Sequence, residues 1–110
     1  RRGRRAEWIA VWWLRLKGYN ILSLRFKSPA GEIDIIARKG ATLAFIEVKR
    51  RAKLNTALQA VPPGAWRRIA RAAELWTGQN SRFRSLDWRF DLIAIAPGHW
   101  PAHKRDYWRP

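Results

Sequence analysis

The chain has 110 residues, which suits one hydrophobic core, so we expect residues 1–110 to form a single domain. Hydrophobic residues make up 47% of the chain and aromatic residues 13%, a composition that argues against intrinsic disorder. With 23 lysines and arginines against 8 acidic residues, the formal net charge is +15, and a domain this basic is expected to bind a polyanion, most commonly nucleic acid.

Several classes of protein are excluded by what the chain lacks. It contains no cysteine, which rules out disulfides and thiolate zinc sites. The apolar run at residues 8–14 is too short to span a bilayer, so we expect no membrane partner and a cytoplasmic protein. The chain begins at Arg1 and has no methionine, so we expect its natural start to lie further upstream.

The first half of the chain predicts a helix followed by three strands. Apolar side chains recur at three- and four-residue spacing in residues 4–18, and Gly18 is placed to end this helix. Residues 19–26 alternate as a strand. Residues 31–50 contain two strand-like apolar runs on either side of Gly40, which predicts a β-hairpin.

The second half of the chain predicts one more helix and one more strand. We expect a short turn or half-helix at residues 54–61, the second long helix at residues 65–78 and a buried strand at residues 88–96. Residues 99–110 are assigned no regular structure. The order αβββαβ predicts an α/β fold with a mixed central sheet flanked by helices.

Three of the eight acidic residues lie inside the apolar hairpin. A carboxylate within a strand needs a partner, a solvated face or a metal. Because side chains alternate, Asp34, Glu47 and Lys49 converge if the register brings their faces together. Two carboxylates can bind Mg²⁺ or Mn²⁺, and a lysine can orient water or stabilise charge on a phosphate. The alternative is an amphipathic hairpin with one charged, solvated face.

Other charged residues have two interpretations each. Glu7, the only acid of the first helix, is either an exposed glutamate paired with arginines or a further metal or water ligand. Arg50, Arg51 and Lys53 follow the second hairpin strand, where they either form a solvated loop or contact a phosphate backbone. We expect Asp91 to pair with Arg89 or with a helix arginine.

The chain has eight tryptophans, and an exposed indole can stack on a nucleic-acid base. We expect Trp100 and Trp108 to be the exposed candidates. The tryptophans that are expected in the core are Trp8, Trp13, Trp66 and Trp76.

Together the hairpin segments Gly-Glu-Ile-Asp at residues 31–34 and Glu-Val-Lys at residues 47–49 form a specific pattern at this separation. With Ala6-Glu7-x-x-Ala10 and Arg89-Phe90-Asp91, the chain resembles the YraN family of small bacterial proteins. These are predicted endonucleases similar to archaeal Holliday-junction resolvases, with the restriction-endonuclease-like PD-(D/E)xK core.

The resemblance implies an active site built on the hairpin. Asp34 and Glu47 would hold the divalent metal, Lys49 would position or activate the attacking water, and Glu7 would complete the catalytic and metal-binding set. Glu32 is a second-tier ligand candidate because it shares the face of Asp34. The implied reaction is in-line attack of metal-activated water on a DNA phosphodiester.

One segment departs from the family pattern. The family usually has a lysine where the second helix opens, and this chain has Pro62-Pro63-Gly64 there. If that lysine contacts the substrate, this chain has either lost the contact or supplies a substitute from Arg67 or Arg68. The preferred interpretation is an endonuclease acting on structured or branched DNA, a homodimer by analogy. The alternatives are a nucleic-acid-binding protein on the same fold without efficient cleavage, and a basic scaffold for acidic partners.

Overall fold

The computed structural model describes the backbone of residues 2–110 and the side chains from Arg5 onward. No helix in this part of the chain is long and apolar enough to cross a bilayer. The elements in chain order are helix α1 (Arg2–Leu16), strands β1 (Asn20–Lys27), β2 (Glu32–Lys39) and β3 (Thr42–Arg50), helices α2 (Leu54–Leu58) and α3 (Pro63–Gln79), a 3₁₀ turn (Ser81–Phe83), and strands β4 (Asp87–Ile95) and β5 (Ala102–Trp108).

The five strands form one mixed sheet in the order β1-β2-β3-β4-β5. The first three strands are an antiparallel meander, β4 runs parallel to β3, and β5 runs antiparallel to β4. A parallel neighbour requires a long crossover connection, which α2 and α3 supply between β3 and β4. This confirms the predicted α/β class, and the architecture is compatible with a restriction-endonuclease-like core.

Each face of the sheet carries its own hydrophobic cluster, one covered by α1 and the other by α3. The α1 helix contributes mainly small buried residues, including Ala6 and Ala10, so its axis can lie close to the sheet. The α3 helix contributes Trp66, Ile69 and Trp76. Its hydrophobic stripe was predicted correctly, although the helix begins two residues earlier than expected, at Pro63.

Two predicted glycine positions have the backbone geometry that glycine favours. Gly18 ends α1 with φ +89°, where the Tyr19 N–H donates to the Leu14 carbonyl and the Gly18 N–H to the Arg15 carbonyl, both at 3.0 Å. This is a Schellman motif. Gly40, in the β2–β3 turn, has φ +59°.

The prediction that residues 99–110 lack regular structure is wrong, because Ala102–Trp108 forms the edge strand β5. Its pairing with β4 shifts register between Phe90 and Leu92, and Asp106 has φ 54°. An edge strand with mostly exposed, charged side chains lacks the apolar alternation by which strands are recognised.

The tryptophan predictions are correct in part. Trp66 and Trp76 are buried and Trp100 is 80% exposed, as expected. Trp8 is not a core residue, since it is 53% exposed. Trp108 is half-buried and stacks on Trp66, with 6.1 Å between the ring centroids, so it is not a free surface residue.

Asp91 is fully buried and accepts hydrogen bonds from several donors. Arg89 donates to both carboxylate oxygens at 2.8 Å, which confirms the expected pair, and the Asp106 N–H donates at 3.0 Å. His103 Nε2 lies 2.8 Å from Asp91 Oδ2, and its Nδ1 lies 2.6 Å from Lys17 Nζ. This network joins the end of α1 to β4 and β5.

Burial alone would raise the pKa of Asp91, but the hydrogen bonds from His103, Arg89 and the Asp106 N–H outweigh it and lower the pKa. The stability that this carboxylate contributes is therefore present above the ordinary aspartate pKa and is lost as the pH falls through the lowered value.

We expect Asp91→Asn to lower the free energy of unfolding by about 3–5 kcal/mol at neutral pH, because it removes the buried negative charge that pairs with the Arg89 guanidinium. Urea denaturation of the two proteins measures this loss, and the difference should narrow in acid. The matched control is Asp87→Asn, at an exposed position of the same strand. Equal effects of the two substitutions would contradict the role of the network.

Candidate active site

The candidate site lies where the β2–β3 ladder stops. Paired residues run from Lys39 with Thr42 to Ile35 with Ile46, so the same register places Asp34 opposite Glu47. Instead of continuing the ladder, the Val48 N–H donates to Asp34 Oδ2 at 2.8 Å. The hairpin thus brings the two carboxyl groups together as the spacing indicated.

These carboxyl groups open onto a cavity of about 360 Å³ between α1 and the end of β3. The cavity contains all four predicted catalytic side chains and two of the predicted phosphate-binding arginines. Its lining residues are Ala6, Glu7, Asp34, Glu47, Val48, Lys49, Arg50 and Arg51.

Burial disfavours ionisation of both carboxyl groups. Burial, followed by the charge of Asp34, raises the pKa of Glu47 to about 8. Burial also raises the pKa of Asp34, although the Val48 N–H and a hydrogen bond from Glu47 oppose this shift. The pair therefore holds a proton at neutral pH unless another positive charge replaces it.

The two oxygens of the Glu47 carboxyl group have different surroundings. Lys49 Nζ lies 3.4 Å from Oε2, whereas Oε1 is buried and has no hydrogen-bond partner in the part of the chain that the structure describes. Such an atom is costly unless a proton or a cation satisfies it. Two carboxylates are hard oxygen ligands, so Asp34 and Glu47 fit Mg²⁺ or Mn²⁺.

Glu7 reaches the cavity from the first turns of α1, where Arg25 holds it. Arg25 Nε donates to Glu7 Oε1 at 2.7 Å. Among residues 5–110 no three His, Cys, Asp or Glu side chains are grouped so as to hold a metal. The predicted set of Glu7, Asp34 and Glu47 is thus not assembled as three metal ligands, since Glu7 is paired with a guanidinium.

Sequence reasoning missed Arg25. This residue lies in β1 between the pairs Leu24–Ile35 and Phe26–Ile33, which places it opposite Asp34. Its φ of 56° is uncommon for a residue with a side chain, and such strain is often found at functional sites. The only signal in the sequence is a single arginine between two large apolar residues.

The remaining predicted residues are distributed more widely. Glu32 is exposed at the start of β2 and does not line the cavity, and Lys53 is exposed just before α2. Arg67 lines a different cavity, beside Trp88 and Trp108. The Cβ of Arg68 lies 3.3 Å from where a Cβ on Gly31 would be, so Arg68 is close to the start of β2.

Residues 6–95 match the family model of the uncharacterised protein family UPF0102. The chain belongs to this family. A UPF0102 protein of Maricaulis maris is 48% identical over 109 residues, 99% of this chain and 86% of its own length. One from Chelativorans sp. is 50% identical over 103 residues, 94% and 83% of the two chains, and one from Parvibaculum lavamentivorans is 48% identical over 110 residues, 100% and 83%.

UPF0102 is the YraN family, the same family that the hairpin motifs of the sequence indicated. Its span of residues 6–95 includes Glu7, Asp34, Glu47 and Lys49. The matched span ends before β5 and therefore omits His103, which is hydrogen-bonded to Asp91.

The raised pKa of Glu47 predicts a pH dependence of stability. A carboxyl group whose pKa is higher in the native than in the unfolded state makes the protein less stable as the pH rises. For Glu47 the free energy of unfolding should fall between the unfolded pKa, about 4.5, and the folded pKa, about 8. Without added metal, we expect Glu47→Gln to be more stable than wild type at pH 8 by about 1 kcal/mol or more.

Chemical denaturation from pH 4.5 to 9 in EDTA measures this difference. Glu74→Gln, at an exposed position of α3, is the control and should leave the pH profile unchanged. A Glu47→Gln profile parallel to that of the wild type would show that Glu47 ionises normally.

Proposed function

We propose that this UPF0102 protein is a divalent-metal-dependent endonuclease that hydrolyses phosphodiester bonds in structured or branched DNA. The observation that carries the proposal is the buried, unpartnered Oε1 of Glu47 beside the Asp34 carboxyl group. A structural ion pair would satisfy both oxygens of Glu47, whereas Lys49 lies near Oε2 only and leaves Oε1 for a metal ion to satisfy.

The surroundings of the carboxyl pair suit a phosphodiester substrate. Arg50 and Arg51 line the same cavity, and guanidinium groups bind phosphate oxygens in bidentate fashion. The net charge of +15 attracts polyanions to the whole molecule, while the acidic groups of the site are confined to one cavity.

In the proposed reaction each side chain has a separate role. Asp34 and Glu47 would hold the metal ion, which when bound supplies a Lewis acid and lowers the pKa of a coordinated water. The Val48 N–H fixes the Asp34 carboxylate in place. The Lys49 ammonium orients the attacking water and stabilises the charge that develops on the phosphate. Glu7, held by Arg25, accepts a hydrogen bond from that water.

A second candidate is a nucleic-acid-binding protein that does not cleave efficiently. Two observations favour it: Glu7 is paired with Arg25 rather than grouped with the other carboxylates, and α3 opens with Pro63-Gly64 instead of a lysine. Arg67, a predicted substitute for that lysine, lines a different cavity. The two candidates differ in metal-dependent cleavage.

Cleavage is tested with a labelled four-way junction, a flap and a plain duplex in the presence of Mg²⁺, Mn²⁺ or EDTA. We expect metal-dependent cutting, which Asp34→Asn and Lys49→Ala each reduce roughly 100-fold or more because each removes a group that acts in the transition state. Glu74→Gln should cut like the wild type. Absence of cutting, together with tight, salt-sensitive binding in all variants, would support the second candidate.

Metal binding has a readout that does not depend on cleavage. At pH 7 the carboxyl pair holds a proton, so binding of Mn²⁺ should release about one proton per site. Calorimetry in two buffers of different ionisation enthalpy measures that release, and Glu47→Gln should abolish both binding and release. Binding without proton release would place the ion elsewhere.

A further inference from the structure

The α1 helix distributes its large and small side chains in an unusual way. Its buried face uses Ala6, Ala10, Val11 and Leu14. Its outer face exposes Trp8 by 53%, Trp12 by 61% and Leu16 by 77%. Surface helices normally place their large apolar side chains inward, and a contiguous exposed apolar patch marks an interaction site.

This outer face belongs to the helix that also contributes to the candidate active site. Ala6 and Glu7 line the cavity, and Trp8 is the next residue of the same helix. Trp12 lies one turn further on, about 6 Å along the helix axis. The two indole rings therefore lie on the solvent-exposed side of the helix that forms one wall of the cavity.

The charges around the two indoles are positive. The Arg15 guanidinium lies 5.9 Å from the Trp12 ring centroid, and Arg5 is exposed about one turn before Trp8. Exposed aromatic rings beside arginines are the elements of a surface that binds single-stranded nucleic acid, where bases stack and cations contact the backbone.

We propose that the outer face of α1 binds unpaired bases of a nucleic-acid strand by stacking them on Trp8 and Trp12. The link between this surface and cleavage rests on the proposed function. With that link, the expected substrate is DNA that has unpaired bases next to the scissile phosphate. Neighbouring bases of a duplex strand stack on one another, so they must separate before each can stack on an indole ring.

A second copy of this chain is the competing occupant of the surface. Two copies that each carry a net charge of +15 repel one another, and the arginines beside the indoles would face like charges. A polyanionic strand is attracted by the same arginines, so charge complementarity favours nucleic acid.

The test is binding of a labelled oligothymidylate strand and of a duplex of equal length, measured by fluorescence anisotropy in EDTA. We expect Trp8→Leu and Trp12→Leu each to weaken strand binding roughly 5- to 100-fold, because leucine keeps the apolar surface but cannot stack. Trp12→Phe should retain most of the affinity. Duplex binding should change little.

Leu75→Ala, which removes an exposed apolar side chain from α3, is the matched control and should bind like the wild type. Thermal unfolding checks that each variant is folded, which we expect because both indoles are exposed. Unchanged strand affinity in both leucine variants would overturn the proposal. So would a wild-type dimer in sedimentation that Trp12→Leu dissociates without loss of strand binding.

The outcomes for the two proposals are separable. Strand binding that depends on Trp8 and Trp12, without cleavage of any substrate, would refute the endonuclease and leave the stacking surface in place. Metal-dependent cleavage with strand affinity unchanged in both leucine variants would support the endonuclease and refute the stacking surface.

Discussion

Two largely buried carboxyl groups lie opposite each other at the end of the β2–β3 ladder, and the rest of the site must compensate for their negative charge. Burial raises the pKa of both Asp34 and Glu47, and the charge of Asp34 raises the pKa of Glu47 further, so ionisation of both groups requires a nearby positive charge. Lys49 supplies part of that charge at 3.4 Å, and the Val48 N–H stabilises Asp34. Glu47 Oε1 still requires a proton or a metal ion to compensate for its burial.

Asp91 shows how the same fold treats a buried carboxylate that has a structural role. It accepts hydrogen bonds from Arg89, the Asp106 N–H and His103, and its pKa is lowered despite complete burial. The pKa of Glu47 moves in the opposite direction because its surroundings contain another acid and too few donors. Burial is common to both groups, so hydrogen-bond satisfaction separates the structural carboxylate from the candidate functional one.

Local patterns in the sequence were sufficient for the hairpin, for α3 and for the meeting of Asp34 with Glu47, because a period of two and a turn at Gly40 specify the faces. They failed where tertiary context decides the structure. Strand β5 is a charged edge strand whose pairing depends on His103 and Asp106 reaching Asp91. Arg25 has a positive φ within a strand, and no neighbouring residue in the sequence indicates that conformation.

The rotation of α1 about its axis connects these features. Because 3.6 residues make one turn, a single orientation places Ala10 and Leu14 on the sheet, Glu7 in the cavity and Trp8 and Trp12 outward. The bond between Lys17 and His103, supported by Asp91, holds the C-terminal end of this helix. The hydrogen-bond network of Asp91 therefore fixes one end of the helix that carries Glu7, while Asp91 itself pairs with Ile46, next to Glu47, on the neighbouring strand.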